Sequence, residues 1–583
     1  MKAAEEIRSR RGGGRAQAAE APPASFWARR SRTPNPHPPP SPNRRPEELP
    51  PPQARPGGDS PKAVLWLLLA AAGGVLWGLS FARVPLGFGA WLTLAPLPLL
   101  LGHRRAAALA FLHGLATWET GLYWIVPTLR QFGGISLPLA VLLTSILAAF
   151  LALFHAAFGW LGGPLWRRFN AGDRYALALG ALPALWVALE WLRTYFLGGF
   201  PWNLAAYAWI AVPGTLPLSA FVGAYGISFL VMLVAAGAAA TTVRLAARRP
   251  RPWRPLVASI VVPLLLLPMA GRWSLRRTAL ENQRDESAGL PVALLQPNVA
   301  DQAGWDPQRA LSDYRKVTGM SYTACRPGVL VIWPESAGWP FEYRRDPLLD
   351  RDLATMVAQG CGVLFNSDTP AAPGDEHAYN SAWLLAPGSP PARYDKRHLV
   401  PFGEYVPFER VLFFARTVAR NVGQFRPAER PALLPWRGEL LGPAICYEVV
   451  FPEETAALTQ AGATILVTIT NDGWYGDTAA PWQHLRAARF RAAENRRPML
   501  RAAITGVSAV IAPDGSVRGE LGVGEQGILR ASVAGVRETT FYSRWPRLPP
   551  LVATLAALAA LAALLALPAL PAVTAIYTSR RRS

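Results

Sequence analysis

What most constrains this chain is a succession of apolar runs, each about as long as a bilayer is thick. From Lys62 onward they occupy 63–81, 85–102, 106–126, 136–161, 174–195, 213–241 and 255–271, and an eighth run, 550–576, follows a long polar insert. A helix needs roughly 20 predominantly apolar residues to cross the hydrocarbon core. Eight spans are therefore expected. Composition agrees: only 17% of the residues are charged, below the quarter or so typical of soluble domains. At 583 residues the chain also exceeds one ordinary domain.

A formal net charge of +21 invites a nucleic-acid reading, but the placement of the arginines argues against it. Arg104/Arg105, Arg167/Arg168/Arg174, the run Arg244–Arg254 and the end Arg580–Arg582 fall in alternate loops, on the side of a basic N-terminal tail. The opposite loops carry only Arg83 and Arg130, and 196–212 has no charge. By the positive-inside rule both termini are cytoplasmic and residues 272–549 lie on the other side. No zinc-finger, RNA-recognition or P-loop pattern appears, so no nucleic-acid partner is expected. The tail 1–62 ("RTPNPHPPPSPNRRPEELPPPQARPGG") has too little apolar surface to offset ordering entropy and reads as disordered. The expected divisions are thus 1–62, a seven-span domain 63–271, an insert 272–549, an eighth helix 550–577 and a basic end 578–583.

Charges inside spans are costly and usually have a role. Glu119 lies in the outer half of the third run, while Glu190 and Arg193 ("WVALEWLRTYF") sit three apart on one helical face, where they can neutralise each other. Just beyond, "GGFPWNLAAYAW" (198–209), with Trp202, reads as an interfacial or re-entrant segment, because Trp and Tyr favour the headgroup layer. These are the membrane-side candidates.

The insert changes period. "PVALLQPNV", "VLVIWPES", "GVLFNSD", "NSAWLLAP", "LGPAICYE", "TILVTITND", "MLRAAITG" and "VSAVIAPDG" are short β-rich runs bounded by turn residues, with helical stretches at 306–325 and 480–496. That alternation implies an α/β domain with covered sheets. Its polar residues gather at strand ends. Glu335 closes "VLVIWPE", Lys396 lies in "RYDKRHLVPFGEYVPF", and Cys446 closes "LGPAIC". A thiol is a weak nucleophile until a base takes its proton or cations lower its pKa. Glu335 can take that proton, and Lys396 can stabilise the thiolate and an oxyanion. Taken singly each residue has a bland reading as packing, cap or solvated charge; together they point to covalent catalysis. A Cys–His dyad using His398 or His484 ranks below this, and the Arg-rich helix around His484 reads as a solvated face.

"IWPES", "YDKRHLVPFGEYVPF", "CYEVVFPE" and "NDGWYGDTAAPWQHLRAARFRAAENRRPMLRAAITGVSA" resemble the nitrilase (carbon–nitrogen hydrolase) superfamily with its Glu-Lys-Cys triad. Seven preceding runs and one following run make the chain similar to that superfamily's membrane-embedded branch, the apolipoprotein N-acyltransferases. The resemblance spans about 63–577 and implies an αββα sandwich inserted between spans 7 and 8. It implies Cys446 as nucleophile, Glu335 as general base and Lys396 as oxyanion stabiliser. Glu404 would orient Lys396, Tyr447 and Glu448 would flank the nucleophile, and Trp305 would be an aromatic near the acyl site. The implied reaction takes an acyl chain from a phospholipid, holds it as a Cys thioester, and passes it to the α-amino group of an N-terminal diacylglyceryl-cysteine. The implied location is a bacterial inner membrane, with catalysis on the non-cytoplasmic side.

Within that pattern "GVLFNSD" is unusually polar, and the tail is unusually long. No His pair has metal-ligand spacing, and no cofactor is expected. Cys325 and Cys361 each precede a parallel-type strand, so a disulfide between them is expected on an oxidising side, leaving Cys446 free. A membrane-anchored amidase would carry the same triad, though eight spans are a large apparatus for an anchor. A transporter or lipid-binding scaffold would have no need of the triad.

Overall fold

The computed structural model describes residues 60–566 apart from 85, 171–174, 300–305, 373–374, 376, 402 and 406–424. Nearly all of the basic tail, Trp305 and the basic C-terminal end therefore lie outside the described residues.

Nine helices among the described residues precede the sheets: α1 (Ser60–Leu79), α2 (Ala90–Leu94), α3 (Pro96–Leu100), α4 (Ala106–Gly121), α5 (Ile125–Gln131), α6 (Leu137–Asn170), α7 (Tyr175–Tyr195), α8 (Thr215–Ala246) and α9 (Arg254–Ala288). Five described helices are long and apolar enough to cross a membrane: Leu137–Arg168, Tyr175–Gly198, Thr215–Ala246, Arg254–Arg277 and, after the sheets, Leu548–Ala566. Two further apolar helices are shorter, Ala63–Leu79 and Ala90–Leu100. The expected span 85–102 is helical only over Ala90–Leu100, where Pro96, which has no N–H, interrupts the hydrogen-bond ladder between α2 and α3. Both pieces pack on α8.

α8 is itself interrupted at Gly223 (φ 65°). A Cβ there would stand 2.4 Å from the Tyr542 ring, so glycine suits both the conformation and the contact.

The insert supplies β1 (Leu290–Gln296), α10 (Pro307–Ala324), β2 (Leu330–Ile332), α11 (Pro347–Ala358), β3 (Gly362–Pro370), β4 (Ala378–Leu385), β5 (Ala392–Asp395), β6 (Leu434–Trp436), β7 (Glu439–Ile445), α12 (Pro452–Gln460), β8 (Ile465–Thr470), α13 (Ala480–Asn495), β9 (Met499–Ala503), β10 (Ser508–Ile511), β11 (Val517–Leu521) and β12 (Gly527–Val533). A short α14 (Phe541–Arg544) leads into α15 (Leu548–Ala566). The strands form two six-stranded sheets, ordered β12-β1-β2-β3-β4-β5 and β11-β10-β9-β8-β7-β6. Each has a parallel centre, β1-β2-β3 in one and β7-β8-β9 in the other, flanked by antiparallel strands.

Alternation along the strands divides the core. Ala293, Leu295, Val331, Trp333, Val363 and Phe365 pack under α10 and α11. Their neighbours Val292, Leu294, Leu330, Ile332 and Leu364 join the second sheet in one continuous core. On that sheet's side lie α12 and α13, and α13 also packs on α8. The helix that closes the α/β domain is thus the one that meets the apolar helices.

All eight expected strands and both expected helices are present. Cys325 and Cys361 are disulfide-bonded, with Cα atoms 5.7 Å apart, because they lead into the adjacent parallel strands β2 and β3. The expectation of a solvated Arg-rich face on α13 is overturned. Arg486, Arg491 and His484 are all buried. Carbonyls of Ser80, Ala82 and Arg83 accept from Arg486, and Glu494 pairs with Arg491. A guanidinium carries several donors, so neighbouring carbonyls and one carboxylate can satisfy it without water.

Candidate active site

Three strand ends deliver the expected trio. β2 runs through Trp333 and Pro334 to Glu335, β5 ends beside Lys396, and β7 ends at Cys446. All three side chains are buried. Lys396 Nζ lies 2.7 Å from Glu404 Oε1 and 3.5 Å from Glu335 Oε1. Asn380 Nδ2 donates to both carboxylates, at 3.0 Å to Glu335 Oε1 and 3.1 Å to Glu404 Oε1. The other oxygens are held by backbone: Asn471 N–H donates to Glu335 Oε2 (3.0 Å) and Val400 N–H to Glu404 Oε2 (2.8 Å).

The polar run in β3 has its reason here. Asn366 Nδ2 donates to Asn380 Oδ1 (2.7 Å), while Asn366 Oδ1 accepts from Ser336 N–H (2.9 Å), so β3 orients the amide that orients the carboxylates. Sequence reasoning noticed the polarity of β3 and missed Asn380. The available signal was an amide at a buried strand position, where it needs a partner.

Two carboxylates therefore share one ammonium. Burial alone would lower the Lys396 pKa, but Glu404 and then Glu335 more than offset it, holding the ammonium above its ordinary range. The Cys446 thiol is pushed up, first by burial and then by the Glu335 charge, with Lys396 pulling the other way. At neutral pH the thiol rests protonated and needs a base. Burial, then Glu342 and Glu335, raise Asp368 to about 7.

Cys446 itself is in the left-handed region, with φ 52°. That costs a non-glycine residue about 1–3 kcal/mol and persists only where its surroundings impose it. Glu448 is one such constraint. Its Oε2 accepts from Ile445 N–H (2.7 Å), immediately before the cysteine. Its Oε1 accepts from Arg397 N–H (2.6 Å) and His398 N–H (3.2 Å), immediately after Lys396. Tyr394 OH donates to the same carboxyl at 2.9 Å. One buried carboxylate thus ties the lysine loop to the cysteine turn. Burial pushes it up to about 7, against the backbone donors of Ile445 and Arg397.

The 198–209 segment reaches the same place. Gly198 O lies 2.9 Å from His398 Nε2, Gly199 O accepts from Tyr447 OH (3.1 Å), and Trp202 stacks on Tyr447 at 6.4 Å. Trp202, Tyr207 and Trp209 are at most 2% exposed, so these aromatics pack inside protein, which fits a re-entrant segment better than an interfacial one. Trp202 Nε1 donates to Gln483 Oε1 of α13 (2.6 Å), which gives the indole a buried partner.

Glu190 and Arg193 do not form a direct ion pair. Each instead grips that segment: Glu190 Oε1 accepts from Ala205 N–H (2.8 Å), and Arg193 Nη1 donates to Phe200 O (3.1 Å) and Trp202 O (2.9 Å). Orphaned loop groups within the protein are satisfied in this way. Glu119 is half-buried on α4 and joins none of these bonds. Trp305 lies outside the described residues. The site thus gathers a buried thiol, two carboxylates that share one ammonium, and the stacked rings of Trp202 and Tyr447 beside the cysteine turn.

Comparison with known proteins identifies the family. The family described as Apolipoprotein N-acyltransferase N-terminal domain matches residues 73–237, and the Carbon-nitrogen hydrolase family matches 314–540. The apolipoprotein N-acyltransferase of Geobacter metallireducens is 34% identical over 82% of this chain and 91% of its own. That of Azotobacter vinelandii is 37% identical over the same shares. Among solved structures, the CN-hydrolase superfamily protein XC1258 from Xanthomonas campestris is 17% identical, covers 44% of this chain and 96% of its own, and has a TM-score of 0.34. Identity at this level across most of both chains shows that this protein belongs to the apolipoprotein N-acyltransferase family.

Proposed function

We propose that this protein moves a fatty acyl chain from a membrane phospholipid to the α-amino group of an N-terminal diacylglyceryl-cysteine, through a thioester on Cys446. The observation that carries this reading is the Glu335–Lys396–Glu404 cluster beside the strained Cys446 turn, in a chain of this family. Glu335 takes the thiol proton as sulfur attacks the ester carbonyl. The Lys396 ammonium stabilises the oxyanion. Collapse expels the glycerol oxygen, which takes the proton back from Glu335, and a lysophospholipid leaves. In the second half, the neutral amine attacks the thioester, Glu335 takes a proton from nitrogen, and the departing sulfur receives it. Glu404 and Asn380 hold Lys396 and Glu335 in place, and Glu448 fixes the distance between the lysine loop and the thiol. Glu190, Arg193, Trp202 and Tyr447 together support the floor under the thiol. The role of Trp305 stays an expectation of the family resemblance.

Splitting the reaction suits two bulky lipids that need not be bound together. The charge pattern of the loops supports cytoplasmic termini and a catalytic domain on the opposite face of a bacterial inner membrane. The Cys325–Cys361 disulfide supports the same side, since disulfides persist in oxidising compartments. Purified protein given labelled phospholipid and a diacylglyceryl-cysteine peptide should yield the N-acyl peptide in proportion to lysophospholipid. Release of free fatty acid alone, with the peptide unchanged, would assign the chain to hydrolysis and overturn this reading.

A further inference from the structure

Behind the nucleophile lies a second buried group of charges that the chemistry above does not use. His484, on α13, is fully buried. Its Nε2 is 3.0 Å from the carbonyl oxygen of Cys446, and its Nδ1 is 3.0 Å from Asp472 Oδ1. Arg501 Nη2 donates to Asp472 Oδ2 (2.6 Å) and approaches His484 Nδ1 at 3.2 Å. Thr470 Oγ1 donates to Asp472 Oδ1 (2.9 Å).

Donor and acceptor chemistry fixes the hydrogen on Nε2, because the carbonyl it meets only accepts. Nδ1 faces Asp472 Oδ1, which can only accept, at 3.0 Å and Arg501 Nη2, which can only donate, at 3.2 Å. Burial, and then Arg501, hold His484 below its ordinary range although Asp472 acts the other way. The ring carries hydrogen on Nε2, with both nitrogens engaged. It cannot serve as the base for the thiol.

We propose that His484 is a positioning residue for acyl transfer, whose Nε2–H holds the Cys446 carbonyl and so keeps the nucleophile in the left-handed turn that Glu335 and Lys396 address. Glu448 fixes the N–H on one side of that residue and His484 fixes the C=O on the other. Asp472 and Arg501 act through His484 by holding its ring plane from the Nδ1 side, a common use of polar groups behind histidines.

The inference rests on Cys446 being the acylated residue, and a pair of amide variants tests it. In His484→Gln the amide nitrogen reaches about as far as Nε2. In His484→Asn the amide stays beside Asp472 and Arg501 and falls short of the carbonyl. With labelled phospholipid and no acceptor, rapid-quench measurement of thioester formation should give Gln within about fivefold of wild type. Asn should be slower by about 100-fold at unchanged phospholipid KM, the scale expected when a reacting group is misplaced by an ångström. Equal rates for the two variants, fast or slow, would overturn the proposal. Nitrogen-15 spectra of histidine-labelled wild type provide a test independent of variant folding: a His484 signal with hydrogen on Nε2 is expected, and one protonated at Nδ1 alone would overturn it. Absence of any thioester at Cys446 in wild type would instead remove the nucleophile assignment itself.

Discussion

Two buried charge clusters flank Cys446, and they are built on opposite plans. In front, Glu335 and Glu404 share the single ammonium of Lys396, so the group carries an excess negative charge next to a protonated thiol. Behind, Asp472 is matched by Arg501 and bonded to His484. The front cluster has room for a proton to arrive; the rear cluster has none to spare. Both are fully hydrogen-bonded at their carboxylates, so satisfaction alone does not mark the reactive side. What marks it is incomplete charge balance within reach of a nucleophile.

Four substitutions or titrations can break or sharpen that contrast. Lys396→Met should have the largest effect, lowering the rate of acyl-enzyme formation by about a thousandfold, since it removes the oxyanion's cation and leaves two buried carboxylates facing each other. Single-turnover labelling reads this directly, and a loss under tenfold would remove Lys396 from the chemistry. Arg501→Met should instead register in stability, at about 3–5 kcal/mol, the usual cost of stranding one member of a buried pair. Chemical denaturation in detergent measures it; an unchanged midpoint would mean that the rear cluster is not structural.

Next, Glu448→Gln should slow acylation about tenfold, because an amide accepts at only one of its two positions and cannot hold both the Ile445 and Arg397 amides. Lysophospholipid release at saturating donor is the readout, and a rate equal to wild type would deny the strut. The last is a pH dependence. Burial raises the Asp472 pKa, but Arg501 and then His484 more than offset it, and the group is held at about 2, below its ordinary 3.8. A depressed carboxylate stabilises fully above its unfolded pKa, and that contribution, on the order of 2 kcal/mol, is lost as pH falls from about 4 through 2. Thermal midpoints across that window should fall in wild type and lose this component in Arg501→Met. Identical slopes would contradict the pairing.

Much of this architecture is legible in the sequence, and the parts that are not have definite causes. The eight strands read from the sequence are those with continuous apolar runs. β5, β6, β11 and β12 are short or outlying, and "VRGEL" and "GILRASV" alternate with polar residues in a way that resembles loop. Glu335 and Cys446 are legible because each closes a hydrophobic strand, and Lys396 because it lies in the motif "RYDKRHLVPFGEYVPF". Asn380 is not, since its importance lies in bridging two carboxylates from distant segments. Glu190 and Arg193 stand out as costly charges that helical spacing brings close enough to offset each other, while what the spacing does not show is that each also holds the backbone of 200–205. The buried arginines of α13 were misread because charge runs usually face water, and the helix's position between a sheet and α8 is a tertiary fact.

The thioester on Cys446 can be sought directly. Protein incubated with labelled phospholipid in the absence of acceptor, quenched in acid, digested and mapped by mass spectrometry should carry one acyl group on the peptide containing Cys446. Hydroxylamine should release it, and Cys446→Ala should lack both adduct and turnover. Acyl label on another residue, or sustained transfer by Cys446→Ala, would contradict the mechanism.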